Sequence, residues 1–393
     1  MSRRPAGDPL PVLITDTESL AALCERLRSE AFVTVDTEFM RERTYWPELC
    51  VVQLAGTHDV AVVDALAPGL DLAPLGVLLA DPKVQKVFHA ARQDVEIFLI
   101  KFGAVPTPLF DSQVAAMVAG FGDQVSYDGL ARALAGAQID KAHRFSDWSA
   151  RPLSDSQIAY AAADVTHLRR IYVALVEKLQ REGRLDWVAE EMAELALPST
   201  YLTEPESAWE RLRPRSNNRR FLGTLRAVAA WREREAQRVN IPRQRLIKDD
   251  TLLEIAATAP ADPAELARAR GISEGFAKGK SGTGLLAAIA VAKALPESDL
   301  PVLPKDRSGP APSPALVALL KVLLAAKSEE HHVAPRLLAN SEDLDRLASG
   351  DGADLPALHG WRREVFGNAA LALKGGKLAL GVEGRKVKLI SSG

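Results

Sequence analysis

The sequence predicts an α/β protein: a mixed-sheet domain over residues 11–200, followed by two all-α regions over 208–296 and 315–383. Three observations carry this. Strand-like and helix-like patterns alternate up to about residue 200. Strand patterns then vanish after the linker LALPSTYLTEPES (195–207). A second linker, PESDLPVLPKDRSGPAPSP (296–314), has six prolines in nineteen residues and divides the helical part in two. At 393 residues the chain exceeds one ordinary domain, and with 47% hydrophobic residues it can bury sizeable cores.

The elements follow in order. PVLIT reads as a strand, and TESLAALCERLRSE as an amphipathic helix entered through a capping box, Thr15-x-x-Glu18. FVTVD, CVVQLA and VAVVDA are further strands, the last two joined by the hairpin turn GTHD. VQKVFH is a strand leading into the helix ARQDVEIFLIKF. Helices then cover about 112–120, 126–135 and 155–182. A strand meander followed by strand–helix alternation describes a mixed sheet flanked by helices. No G-x-G-x-x-G or G-x-x-x-x-G-K-[ST] is present, so no nucleotide-cofactor site is signalled.

The two helical regions read as diverged repeats. QRLIKDDTLLEIA (244–256) lies over RLLANSEDLDRLA (336–348) at an offset of 92 residues, matching Leu246 with Leu338 and Leu252 with Leu344.

Candidate chemistry begins with Asp36 and Glu38, two carboxylates one residue apart at the end of an apolar strand. Alternation puts them on one face. Uncompensated charge at the end of a central strand is costly, and clustered hard oxygens suit Mg2+ or Mn2+. A solvated strand end is the bland alternative. Asp94 falls in the first turn of a helix, just after the strand ending near His89. There it serves equally as a favourable acid beside the helix N-terminus. Tyr160 and Asp164 stand at i and i+4 on a helix whose neighbouring positions are alanine, and so share a face.

Asp36-x-Glu38, Asp94 and Tyr160-x-x-x-Asp164, in this order, resemble the three exonuclease motifs of the DEDD superfamily in its tyrosine-bearing branch. The surrounding words DTEFMRERTYWPELCVVQLA, VFHAARQDVEIF and SDWSARPLSDSQIAYAAADVTHL resemble the ribonuclease D family. NNRRFLGTLRAVAAWREREAQRVNIPRQRLIKDDTLLEIA resembles an HRDC domain, and region 315–383 a second, diverged copy, whose KGGKLALGVEGRK end departs from a plain helical module. The resemblance implies an RNase H-like fold for residues 11–200 and two-metal phosphodiester hydrolysis, with ions about 3.5–4 Å apart. On that basis Asp36, Glu38 and Asp164 hold the ion carrying the attacking water, and Asp36 bridges to a second ion. Asp94 assists directly or through water, and Tyr160 orients the nucleophile. The implied activity is 3′–5′ exoribonuclease action on structured RNAs such as tRNA precursors, releasing 5′-mononucleotides. A DNA exonuclease of the same superfamily and an inactive nucleic-acid-binding protein are the alternatives.

Other residues read less sharply. His89 contacts substrate or is hydrogen-bonded structure. Phe39 and Met40 wedge against terminal bases or pack at a strand end. Trp148 stacks on a base or anchors its loop, and Asp111 reads as a helix N-cap. Net charge is −2, so any pull on nucleic acid is local. It is found between Arg211 and Lys248, where twelve Lys/Arg face only Glu233 and Glu235. Arg215, Arg219 and Arg220 are the candidate phosphate contacts there. The region after 315 is balanced in charge. The two cysteines, Cys24 and Cys50, read as core residues and imply no disulfide framework. With no apolar run suited to a signal or a membrane span, a cytoplasmic monomer with no membrane partner is expected.

Overall fold

The computed structural model describes residues 11–139, 143, 146–214, 216–303, 312–350 and 354–391. The expected linker 296–314 therefore lies partly outside the described residues, and Arg215 lies wholly outside them.

The first part of the chain runs β1 (Val12–Ile14), α1 (Thr17–Leu27), β2 (Phe32–Met40), β3 (Glu48–Ala55), β4 (Val60–Asp64), α2 (Ala73–Ala80), β5 (Gln85–Phe88), α3 (Arg92–Phe102), β6 (Leu109–Asp111), α4 (Ser112–Val118), α5 (Tyr127–Leu130), α6 (Asp155–Arg181) and α7 (Leu185–Leu195). A π-helical turn, Ala131–Ala135, follows α5. The six strands form one sheet in the order β1-β4-β3-β2-β5-β6. β3 and β4 are antiparallel across the GTHD turn, whereas β1–β4, β2–β5 and β5–β6 are parallel. The mixed sheet is thus as expected, with β2 inside it rather than at an edge. Two local readings change. β2 runs four residues beyond Asp36, so the two acids lie within the strand rather than at its end. The N-cap of α1 is Asp16, not Thr15; its carboxylate accepts from Ser19 N at 2.8 Å.

The remainder runs α8 (Arg219–Val239), α9 (Arg243–Leu246), α10 (Asp249–Thr258), α11 (Pro263–Leu266), α12 (Glu274–Lys278), α13 (Lys280–Ala294), α14 (Pro314–His331), α15 (Pro335–Leu338), α16 (Ser341–Ser349), α17 (Gly360–Arg362) and α18 (Asn368–Lys374). It closes in an antiparallel ribbon, β7 (Leu378–Glu383) and β8 (Lys386–Ser391). The ribbon corrects the expectation of an all-α third region: Leu378, Leu380 and Leu389 alternate onto one face and pack on the helices, a period-two pattern that a helix would scatter. The offset of 92 is visible in the backbone. α8 ends at Val239 and α14 at His331, each closed by a left-handed residue, Asn240 (φ +52°) and His332 (φ +48°). The short helices α9 and α15 begin at Arg243 and Pro335, and α10 and α16 at Asp249 and Ser341.

By compactness the chain forms two units. One joins the residues up to Glu38, Val51–Thr200 and the described residues from 312 onward. Inside it Ala334 N donates to Met117 O at 3.0 Å, Arg184 Nη2 donates to His331 O at 2.7 Å, and Arg362 pairs with Glu191 at 2.5 Å. The C-terminal helices therefore pack directly on α4 and α7. The other unit joins Phe39–Cys50 with the described residues from Tyr201 to 303, around a core that includes Trp209, Leu222, Leu225, Leu252 and Leu285. Within it the buried Glu233 accepts from Tyr45 Oη and from Arg243 Nη2, the latter at 2.7 Å, and Trp46 N donates to Asn240 Oδ1 at 3.0 Å.

Candidate active site

Strand alternation places Thr34, Asp36 and Glu38 on one face of β2. Val33 and Val35 point the other way and are fully buried. Thr34 Oγ1 donates to Val165 O at 2.8 Å, which binds α6 to the acid-bearing face. That bond sets the register of α6, so Asp164 arrives opposite Asp36, one turn beyond Tyr160. Tyr160 and Asp164 are hydrogen-bonded through their side chains, and Tyr127 Oη donates to the backbone carbonyl of Asp164.

Asp94 comes from α3 and accepts from Thr37 Oγ1, on the other face of β2. The start of α3 has no side-chain cap of its own. Asp111 supplies one from β6: its carboxylate accepts from Ala90 N at 3.0 Å and Ala91 N at 2.8 Å, while also capping α4 through Gln113 N at 2.8 Å. The expected N-cap thus fixes a second turn as well, one in which Ala90 is left-handed at φ +56°.

The four acids stand in one another's fields. Burial is the main cause holding all four above the usual carboxylate range. Asp36 is pushed up to about 7, and Glu38 to about 9 with added repulsion from Asp36, Asp164 and Asp94. Asp94 and Asp164 are only 6% and 8% exposed, and Asp36 repels both. Among the described residues, the leading causes of these shifts are burial and the neighbouring carboxylates, with no Lys or Arg side chain among them. An oxygen-only set of this kind, half-buried to buried and mutually repelling, fits hard divalent cations. Among the described residues, however, no three His, Cys, Asp or Glu side chains are gathered closely enough to form a finished cage.

A cavity of about 500 Å³ opens here, and Asp36, His89, Tyr160 and Asp164 line it. His89 Nδ1 lies 3.0 Å from Ser112 Oγ, its ring meets Tyr127 edge-on at 5.3 Å, and burial pushes its pKa down to about 4. It is therefore neutral at pH 7. Gln113, Gln124, Ser126, Tyr127 and Asp128 complete one wall and were missed from the sequence. Gln113 lies on α4, Gln124 in the loop that follows, and Ser126 caps α5, which carries Tyr127 and Asp128; no recognisable motif marks them. Only the threonines of FVTVDTE gave a signal, since a hydroxyl in a core strand needs a partner. Trp148 is 2% exposed and its backbone carbonyl accepts from Arg151 Nη1 at 2.6 Å, so it anchors its loop and is not an open stacking platform. Phe39 and Met40 complete β2, half-buried. Arg219 Nη2 donates to Leu300 O at 2.8 Å and Arg220 Nη1 to Leu295 O at 2.7 Å. Both arginines thus tie down backbone carbonyls around the end of α13. Elsewhere in the basic block, Arg232 pairs with Asp249 at 2.7 Å and Arg238 with Glu235 at 2.7 Å, so part of its charge is neutralised within the unit.

A mixed α/β domain with this acidic cavity, followed by a helical module, defines a class of nucleases. Residues 11–180 match the 3'-5' exonuclease family and residues 221–289 the HRDC domain family. A ribonuclease D of Gluconacetobacter diazotrophicus is 70% identical over 98% of both chains, and one of Granulibacter bethesdensis is 69% identical over 98% of both. The crystal structure of Escherichia coli RNase D, an exoribonuclease involved in structured RNA processing, aligns with a TM-score of 0.80 at 30% identity, covering 93% of this chain and 99% of that one. The chain belongs to the ribonuclease D family, and its class is that of a hydrolytic 3′–5′ exoribonuclease.

Proposed function

We propose that the enzyme trims the 3′ ends of structured RNAs, tRNA precursors among them, releasing 5′-mononucleotides, and that Asp36, Glu38, Asp94 and Asp164 hold two divalent ions, Mg2+ or Mn2+. The observation that carries this reading is the set of four carboxylates, Asp94 and Asp164 buried and Asp36 and Glu38 half-buried, raised together by burial and one another's charge. When bound, such ions neutralise the carboxylates and supply an acidified water for phosphodiester hydrolysis.

The remaining work falls to the chain itself. Tyr160 stays protonated, because burial and the charges of Asp164, Glu38 and Asp36 hold its hydroxyl above the ordinary tyrosine value. It orients a water through hydrogen bonding and does not act as a base. His89, neutral and fixed by Ser112, offers a hydrogen bond to substrate in the cavity. Phe39 and Met40 supply apolar surface to the terminal nucleotide. The first helical module grips RNA phosphates with basic residues of the 211–248 block, Arg215, Arg219 and Arg220 included. The C-terminal region, which shares its helix boundaries at the offset of 92, is a diverged second module of the same type. Cys24 and Cys50 are buried thiols outside any disulfide, which supports action in the reducing cytoplasm.

The test is degradation of a 5′-labelled tRNA precursor and of matched DNA, with Mg2+, with Mn2+ and in EDTA. Stepwise shortening of the RNA that stops in EDTA is expected. Equal or faster cutting of DNA would overturn the substrate assignment, and full activity in EDTA would overturn the metal reading.

A further inference from the structure

The C-terminal ribbon carries chemistry that the trimming reaction leaves unused. β7 and β8 pair from Leu378–Ser391 to Glu383–Lys386, around a turn in which Gly384 has φ +61°. Leu378, Leu380 and Leu389 anchor one end of it on the C-terminal helices. At its tip and on the face away from that anchor the ribbon is bare. Val382 is 80% and Ile390 47% exposed, and Arg385, Lys386 and Lys388 are exposed as well.

The charge there is segregated. Residues 315–373 hold six Lys/Arg against eight Asp/Glu, whereas residues 374–391 hold five Lys/Arg against Glu383 alone. The balance of the region as a whole hides a basic tail. Lys388 pairs with Glu383 at 3.0 Å. Lys386 and Lys388 are two residues apart on one face, about 6.8 Å along the strand, with the anchoring leucines on the other. A two-stranded ribbon is marginal on its own in water. Ile390 follows Lys386 and Lys388 on their face, whereas Val382 follows Leu380 on the other. An exposed Ile beside a row of cations forms a surface suited to a polyanion that also offers apolar faces.

We propose that this ribbon is an additional RNA contact, gripping phosphates through Lys377, Arg385, Lys386 and Lys388 and covering Ile390 with base or sugar surface. The choice of polymer rests on the exoribonuclease reading; the choice of surface rests on charge complementarity. The rival account is that the lysines guard exposed strand edges against self-pairing.

The experiment compares the full chain with a variant carrying Lys377→Ser, Arg385→Ser, Lys386→Ser and Lys388→Ser. RNA binding is measured in EDTA by fluorescence anisotropy against salt, with a long structured RNA. Turnover of a short single-stranded RNA is measured separately in Mg2+. Affinity at low salt should fall roughly 10-fold or more, and the slope of log-affinity on log-salt should flatten by about 3 for four lost contacts. Turnover of the short strand should be unchanged, and its complete absence in the parent protein would instead indict the exoribonuclease reading. A second variant, Ile390→Ser, should weaken binding without changing the slope. Unchanged affinity and slope in the charge variant, accompanied by aggregation, would overturn the proposal in favour of edge protection. Unchanged RNA binding with lost binding to phosphatidylserine vesicles would overturn it in favour of a membrane surface.

Discussion

Trp187 of α7 lies flat against Trp361 of α17, with ring centroids 4.6 Å apart and planes 7° from parallel. The guanidinium of Arg184 lies 5.1 Å from the Trp187 ring and that of Arg362 5.0 Å from Trp361, and Arg362 also pairs with the buried Glu191. Aromatic stacking, two cation–π contacts and a part-buried ion pair thus converge on one seam. The C-terminal region is built into the unit that carries the acids, and is no detached appendage.

From that seam follows a stability prediction. Trp361→Ala removes a 3%-exposed side chain and deprives Trp187 of its stacking partner, and should cost roughly 3–5 kcal/mol. The loss should appear in the unfolding of the exonuclease domain itself, followed by the protection of α6 and α7 amides in hydrogen exchange. A truncation after Leu197 should for the same reason be markedly less stable than the full chain. Unchanged exchange in α6 and α7 would show that the seam does not couple the two regions.

Asp111 should matter to catalysis without touching substrate. Asp111→Ala strands the Ala90 and Ala91 amides, which should cost about 1–3 kcal/mol and free the start of α3. Asp94 would then lose its fixed position. Turnover should fall more than RNA affinity, and Asp111→Asn, which keeps one acceptor oxygen, should recover part of the loss. Loss of stability in the alanine variant with wild-type turnover per folded molecule would refute the positioning role.

A third prediction concerns pH without metal. Asp36 and Glu38 are raised on folding, to about 7 and about 9. The folded state therefore holds more protons than the unfolded chain between about pH 4 and pH 9. Their contribution is present in full below the unfolded pKa and lost as pH rises through the folded values. Glu235, pushed down to about 2, works in the opposite sense but is already ionised across this window, and His89, pushed down to about 4, opposes them only between about pH 4 and pH 6.5, one group against two. In EDTA, Tm should thus fall from pH 5 to pH 8, by roughly 4–10 °C, and Mg2+ should flatten that slope. A Tm that rises over the same range in EDTA would contradict the uncompensated-acid reading.

The acids and Tyr160 were legible because their spacing matches the period of the element that carries them: two along a strand, four along a helix. The sheet was legible because apolar, β-branched runs were cleanly punctuated. What escaped was set by contacts distant in sequence. Nothing near Ala91 announces that its cap comes from Asp111, or near Trp187 that its partner is 174 residues away. The ribbon escaped for another reason: LALGVEG and RKVKLIS alternate only weakly, and the glycines around them masked a strand signal. In the basic block, sequence counted charges, whereas structure shows that several of them hold carbonyls or carboxylates inside their own unit.

Tyr160 supplies the sharpest test of the site. Its hydroxyl is bonded to Asp164, and its ring lies 6.1 Å from that of the buried Trp148, so both ends are held. Because its pKa is raised above the ordinary tyrosine value, deprotonation plays no part at working pH. Tyr160→Phe removes the hydroxyl alone and should keep the ring packing. Turnover should then drop roughly 10²-fold with KM nearly unchanged, the pattern of a group that acts after binding. The pH–rate profile should keep its shape, since no titrating group has been removed. Divalent-ion affinity, measured by calorimetry, should also hold, because the four carboxylates remain. Full turnover combined with a raised KM would make Tyr160 a substrate contact; a shifted pH profile would make it an acid or base, and either result would reject the water-orienting role.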